Sequence, residues 1–229
     1  MELRPYIEMA QSFAALSHHG VYLWDVQNDR CVYTSPGMLV RYGLSEDEFE
    51  NRGLGALVAL MPPEEAKMIE SVRTGIEKVY MEVPYVLRQR MVLSLSFYYR
   101  RGGRTVSDNQ KLALLSFDRE GKPGLMFGTV SPFVFNGSGS IIVNIAETSQ
   151  FFCYDPDTGD WNPLECVHLT ENELLMLHLS MQGYTMGRNG EMMCKSVETV
   201  RFYRRQVFQK LGVNSINEAI AYAVQYGMI

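Results

Sequence analysis

At 229 residues, with 46% hydrophobic and 21% charged content, the chain reads as an ordinary globular protein of two small domains, each able to build a core. Its longest apolar runs, such as "LGALVALM" at Leu54–Met61, fall far short of the ~20 residues that span a bilayer, so no membrane partner is expected. The net charge of −5 is uneven: residues 168–229 hold six Lys/Arg against five Asp/Glu and residues 1–167 hold fifteen against twenty-one, which directs an anionic partner to the C-terminal piece.

The start, "MELRPYIEMAQSF", has Glu2 and Glu8 and no apolar h-region, and does not read as a secretion signal. Tyr6, Met9, Phe13 and Leu16 fall at helical spacing and predict a short leading helix with those residues on its buried face. "GVYLWDVQNDRCVYTS" (Gly20–Ser35) reads as two strands joined by the turn "QNDR". Ser45 with Glu48 forms a capping box that starts a helix, and Pro62–Pro63 followed by Glu64 and Glu65 opens another. The period then changes to two. Met91–Phe133 alternates apolar and polar residues in three runs broken by "RRGG" and "DREGKPG", an antiparallel sheet. Two more strand-like runs, "SIIVNIA" and "SQFFCYDPDTGDW", follow the Gly/Ser-rich Asn136–Ser140. The four cysteines, Cys31, Cys153, Cys166 and Cys194, show no CxxC and no His partner at ligand spacing. No disulfide framework, metal site or other cofactor is expected, and a reduced cytoplasm is the natural compartment.

Residues 15–133 resemble a PAS sensor domain, through "VYLWDVQNDRCVYTSPGMLVRYGLSEDEF", "MPPEEAKMIESV" and "FYYRRGGRTVSDNQKLALLSFDREGKPGLMFGTV". The resemblance implies a five-stranded antiparallel sheet with helices on one face, and often a ligand cavity between them. Two roles stay open for it: a sensor for an unknown small-molecule ligand, or a ligand-free dimerisation module.

From Leu169 the pattern is helical to the end. Thr170 with Glu173 makes a second capping box, Leu174, Met176, Leu177 and Leu179 recur at helical spacing, and Gly183 closes that helix. A short helix runs through Met193. Ser196 then caps the segment "SVETVRFYRRQVFQKLGV", which with Lys195 carries five basic residues against Glu198 alone. Val197, Val200, Val207 and Leu211 form its core side, and Glu198, Arg201, Phe202, Arg205 and Gln209 the opposite side. The bland reading is a solvated face, with Arg204 covering apolar surface by its stem and Met186, Met192 and Met193 in the core. The sharper one is a helix shaped for the major groove of DNA, where Arg pairs bidentately with guanine. A last helix has Ile216, Ala219, Ile220, Ala223 and Val224 on one side.

This region resembles the LuxR/FixJ-type helix-turn-helix, ungapped from Leu169 to Ile229. The carrying residues are Leu169, Thr170, Glu173, Leu177, Leu179 and Gly183, then Ser196, Thr199 and Val200, "KLGV" at Lys210–Val213 and "EAIAYA" at Glu218–Ala223. The resemblance implies base-edge contacts from Arg201, Phe202 and Arg205, and phosphate contacts from Thr199, Tyr203 and Lys210; Lys195 and Ser196, at the start of the helix, complete the expected DNA-binding set. It also implies a dimer contact through the last helix, at Ile216, Ile220 and Val224. One segment departs from the pattern. "GRNGEMMC" puts Asn189 where an aliphatic residue is usual and Gly190 where alanine is usual, so the short scaffold helix is expected to be shortened, irregular or mobile.

The expected fold class is α+β. Residues 1–160 form a PAS-like antiparallel sheet with helices and a trailing hairpin, and 161–229 an all-α four-helix LuxR-type domain. The expected function is a cytoplasmic, homodimeric transcription regulator of double-stranded DNA, using a recognition helix at 197–211. The alternative is a protein-interaction module that has lost DNA binding through the altered scaffold helix. A signalling enzyme is disfavoured, because the sequence has no Gly-rich phosphate loop, no nucleophile elbow and no spaced histidine partners, so no catalytic residue is assigned.

Overall fold

The computed structural model describes residues 2–133, 141–146, 148, 151–155, 157–164 and 167–229. Asn136–Ser140 and Cys166 lie outside them. Contacts divide the chain into two compact units, a larger one that includes residues 2–133 and the strands up to 164, and a smaller one over 167–229.

The larger unit is one eight-stranded sheet in the order β2-β1-β5-β4-β3-β6-β7-β8. β1 (Gly20–Asp25) and β2 (Arg30–Thr34) form the first hairpin, and β3 (Met91–Arg101), β4 (Arg104–Phe117) and β5 (Pro123–Pro132) the antiparallel run that the alternation predicts. β5 closes back on β1, pairing Tyr22 with Gly128. These five strands make the sheet that the PAS resemblance implies. β6 (Ile141–Ile145) adds to the free side of β3, and β7 (Phe151–Tyr154) and β8 (Trp161–Leu164) extend it. The later strand-like runs therefore continue the same sheet, which reaches past residue 160. Gly128 is a spatial necessity: a Cβ there would overlap the Tyr22 ring that lies across it.

Alternation gives the sheet two apolar faces. The inner face, with Tyr22, Trp24, Leu93, Leu95, Leu112 and Met126, meets helices inserted between β2 and β3. These are α2 (Pro36–Tyr42), α3 (Glu46–Arg52), α4 (Gly55–Val58), α5 (Pro63–Glu82) and α6 (Tyr85–Arg88), with α1 (Arg4–Ser17) preceding the sheet. The predicted Ser45/Glu48 capping box is present at the start of α3. α1 corrects an expectation. It packs on the outer face, against Val21, Leu23 and Leu125, so helices lie on both faces. Its buried side is Tyr6, Ile7, Ala10 and Ala14, so Tyr6 lies where the spacing puts it, whereas Met9, Phe13 and Leu16 are 44%, 40% and 83% exposed. Alanine lets a helix approach a sheet closely, and it carries little weight in a stripe chosen by large side chains.

The smaller unit is four helices: α7 (Glu171–Met181), α8 (Met186–Met193), α9 (Val197–Leu211) and α10 (Ile216–Gln225). Met176, Leu177, Val200, Val207, Ala219 and Ala223 form its core, all at 0% exposure. Among the described residues no helix is long and apolar enough to cross a membrane.

Candidate nucleic-acid interface

Two reciprocal contacts hold the scaffold beneath α9. Thr170 caps α7, accepting from Glu173 N at 3.4 Å while its own N–H donates to Glu173 Oε2 at 2.7 Å. The same Oε2 accepts from Lys210 Nζ at 2.7 Å, and Lys210 also donates to the His168 carbonyl at 3.2 Å. The end of α9 is thereby tied to the start of α7. Burial pushes the Glu173 carboxyl up, but the Lys210 ammonium and the Thr170 bonds outweigh it and hold the group below its ordinary value. Lys210, expected at a phosphate, has its charge committed to its own domain.

α8 is the second correction. It is a regular helix over Met186–Met193, capped by Thr185, whose hydroxyl accepts from Arg188 N at 3.3 Å. Neither unusual residue breaks it. Asn189 is 1% exposed and donates through Nδ2 to Ser180 Oγ at 3.2 Å, leaving Oδ1 without a partner. Gly190 lies under the turn into α9, where an added Cβ would stand 2.9 Å from the Lys195 carbonyl. That turn closes through Cys194 in the left-handed region (φ 53°) and a bond from Lys195 N to Gly190 O at 2.9 Å. Here the departure at Gly190 serves a close backbone approach.

α9 begins at Ser196, whose hydroxyl accepts from Thr199 N at 3.1 Å and lies 2.8 Å from the Thr199 hydroxyl. Gly212 ends it in the left-handed conformation that glycine adopts without strain. Val200, Val207 and Leu211 are buried. Val197, placed in the core by periodicity, is 37% exposed, because the first turn stands clear of the core. Glu198, Arg201, Phe202, Arg205 and Gln209 are all exposed on the other side. Lys195 and Ser196 are exposed beside this face, with Thr199 and Tyr203 half-buried at its border. Of the expected DNA contacts, all but Lys210 thus lie on or beside this exposed face.

Two features of α9 are not anticipated from the sequence. Arg201 is ion-paired with Glu198. Arg204 stacks its guanidinium 5.1 Å from the Phe208 ring centroid, so its charge as well as its stem lies along its own helix. An i,i+3 acid is the available signal for the first, and an i,i+4 aromatic for the second. Met192 also differs from expectation, at 47% exposed, whereas Met193 is buried. In α10 the expected dimer stripe is split: Ile216 and Ile220 pack against the domain's own core, and Val224 is 53% exposed.

The sheet unit has a cavity between its inner face and the helices, lined by Trp24, Leu57, Ile69, Val72, Leu93 and Gln110 among others. Its volume is about 20 Å³, room for one water and no more without repacking. Gln110 brings a polar group to this wall and donates to the Tyr22 hydroxyl. Among the described residues no group of His, Cys, Asp and Glu is placed to hold a metal ion.

Comparison with known proteins bears on the smaller unit most directly. Residues 167–223 match the family model described as bacterial regulatory proteins, luxR family. No curated protein matches the chain. Among solved structures, the phage VqmA–DPO complex aligns at 14% identity and a TM-score of 0.39, over 98% of this chain and 88% of that one. A Vibrio cholerae VqmA dimer aligns at 17% identity and a TM-score of 0.34, over 99% and 89%. The PAS domain of Bordetella pertussis BvgS aligns at 14% identity and a TM-score of 0.41, over 58% and 89%. The capped α7, the turn into α9 and the match over 167–223 together make the C-terminal unit a helix-turn-helix domain of the luxR family of bacterial regulatory proteins.

Proposed function

We propose that the chain is a cytoplasmic, sequence-specific regulator of transcription that binds double-stranded DNA as a homodimer, with α9 in the major groove. The carrying observation is the two-sidedness of α9 within a luxR-family domain: Val200, Val207 and Leu211 are buried, and Arg201, Phe202 and Arg205 stand together on the exposed side. The groove admits one helix, and guanidinium groups match the O6 and N7 acceptors of guanine. Arg201 and Arg205 read base edges and Phe202 meets a thymine methyl or a sugar. Lys195, Ser196, Thr199 and Tyr203, at the border of the face, hold phosphates. Val224 lies in the dimer contact, with Ile216 and Ile220 supporting it from the core side. The boundary between sheet domain and DNA-binding domain falls after β8, which ends at Leu164, a few residues beyond the expected 160–161.

The sheet domain is the input. Its cavity is too small to be a preformed ligand site, so a small-molecule signal there would require the cavity to open. The rival reading, an interaction module without DNA binding, drew on a damaged scaffold helix. α8 is regular and capped, which removes that support.

Selection of bound duplexes from random DNA with the full chain tests the proposal. Enrichment of a palindrome is expected, and Arg201→Ala and Arg205→Ala should each weaken binding to it by about 1–3 kcal/mol with relaxed preference at one base pair. Full affinity and unchanged selectivity in both variants would remove α9 from the interface.

A further inference from the structure

The exposed face of α9 carries an acid where a polyanion is to dock. Glu198 sits in the first turn with its side chain 73% exposed, and its carboxylate is paired with Arg201, itself 57% exposed. The fold makes little use of it. Ser196, two residues earlier, supplies the cap, and the buried side of the helix is Val200, Val207 and Leu211. An exposed pair of this kind adds little stability, and the benefit of an acid to the helix dipole is small.

Toward DNA the same carboxylate is a liability at almost every sequence, because it faces phosphates. One base-edge group reverses that. The N4 amino group of cytosine is a donor in the major groove, and a carboxylate accepts from it. Arg201, three residues on and in contact with Glu198, offers the donors that match guanine. A neighbouring acid and base on one helical turn therefore complement a neighbouring cytosine and guanine. In the free protein the two side chains satisfy each other, and on a matching site each exchanges its partner for a base.

Resting on the reading of α9 as the recognition helix, we propose that Glu198 is a specificity-determining residue: it reads a cytosine amino group beside the guanine read by Arg201, and it penalises DNA that lacks that cytosine. Its role is discrimination, at some expense of affinity.

The test uses the full chain as wild type, Glu198→Ala and Glu198→Gln, each selected against random duplex DNA. Affinities are then measured on the wild-type site with all four bases placed at each position. Wild type should prefer cytosine at one position by about ten- to a hundred-fold. Glu198→Ala should lose that preference, keep the others, and bind random duplex more tightly than wild type. Glu198→Gln should move the preference toward adenine, whose N6 and N7 match a carboxamide. Identical base preferences in all three proteins would overturn the proposal. So would a uniform tightening of every sequence by Glu198→Ala, which would leave Glu198 a repulsive charge and nothing more. If the wild type enriches no site at all, it is the reading of α9 that fails.

Discussion

In the sheet unit the carboxylate of Asp108 is fully buried and fully engaged. In the helical unit the amide of Asn189 is almost as buried and only half engaged. Asp108 Oδ2 accepts from Arg41 Nε at 2.6 Å and from the Tyr42 hydroxyl at 2.8 Å, while Oδ1 accepts from Arg41 Nη2. Burial, and after it the Asp108 charge, push the Tyr42 hydroxyl well above its ordinary value, so it stays a donor. Asn189 has one bond, to Ser180, and an orphaned oxygen. A buried charge is tolerable only when its lone pairs are filled, and a neutral amide survives with less because its desolvation costs less. Between the extremes stands Glu173, a charge that is 3% exposed, with Lys210 and the Thr170 cap as partners. The order Asp108, Glu173, Asn189 is thus an order of dependence on partners.

The largest effect expected from that order is at Arg41. Arg41→Ala leaves the buried Asp108 without its guanidinium partner and with tyrosine hydroxyls alone beside it, and should cost about 3–5 kcal/mol. Denaturation followed by tryptophan fluorescence reads this unit, because both tryptophans, Trp24 and Trp161, lie in the sheet. Replacing the pair together, Arg41→Met with Asp108→Leu, should recover much of the loss, since an apolar pair of similar volume carries no desolvation cost. A single-variant loss under about 1 kcal/mol would break the comparison at its strong end.

Lys210→Ala comes next. It should destabilise the helical unit by about 1–3 kcal/mol, read by thermal melting at 222 nm (about 1 kcal/mol moves a small domain's midpoint by several degrees). The pH dependence has a fixed sign. Glu173 titrates below its ordinary value in the folded state, so its contribution is present above the unfolded carboxylate range near ~4.3 and is lost as pH falls through the folded value. The gap between wild type and Lys210→Ala should therefore narrow in acid. A variant with unchanged melting but a DNA salt dependence flatter by about one unit of slope would return Lys210 to a phosphate and take it out of this series.

Gly190→Ala should be a smaller loss, about 1 kcal/mol. Alanine is favoured over glycine in a helix interior by about that much, but its Cβ would meet the Lys195 carbonyl at 2.9 Å, and displacing backbone in a packed turn costs about 1–3 kcal/mol. Stabilisation by this change would show that the turn into α9 yields easily.

These examples also show where the sequence is legible. The capping boxes at Ser45 and Thr170 are local, three residues apart, and both form. β3, β4 and β5 show as strands because their period of two is also local, although burial on both faces blurs it along β3. What the sequence hides is distance and size. Lys210 looks like a phosphate contact because its partner, Glu173, lies 37 residues away. Ala10 and Ala14 bind α1 to the outer face without the bulk that marks a stripe. Gly190 reads as a weak point in a helix, although the reason for it is a carbonyl belonging to the next turn. The exposed face of α9 is legible because a helix repeats every few residues, so Arg201, Phe202 and Arg205 fall together whatever surrounds them.

The smallest effect tests the weak end of the order, and its sign is reversed. Asn189→Leu removes the orphaned Oδ1, whose burial without a partner costs about 1–3 kcal/mol. Little is lost with it. Ser180 Oγ donates to the Met176 carbonyl at 2.8 Å and keeps that bond when the Asn189 amide is gone. Leucine is also the better helix former, by a few tenths of a kcal/mol. Against this stands the fit of two methyl groups in a site shaped for a planar amide, where a volume-conserving change typically costs under about 1.5 kcal/mol. The balance is a gain of roughly 1 kcal/mol, seen as a rise of several degrees in the 222 nm transition. Asn189→Asp sharpens the comparison from the other side. It places a charge where only Ser180 is near, so it should destabilise more than Asn189→Leu stabilises, and the loss should shrink in acid as the new carboxyl protonates. Should Asn189→Leu instead destabilise while Asn189→Asp is neutral, Oδ1 has found a partner in solution, and Asn189 leaves the weak end of the order.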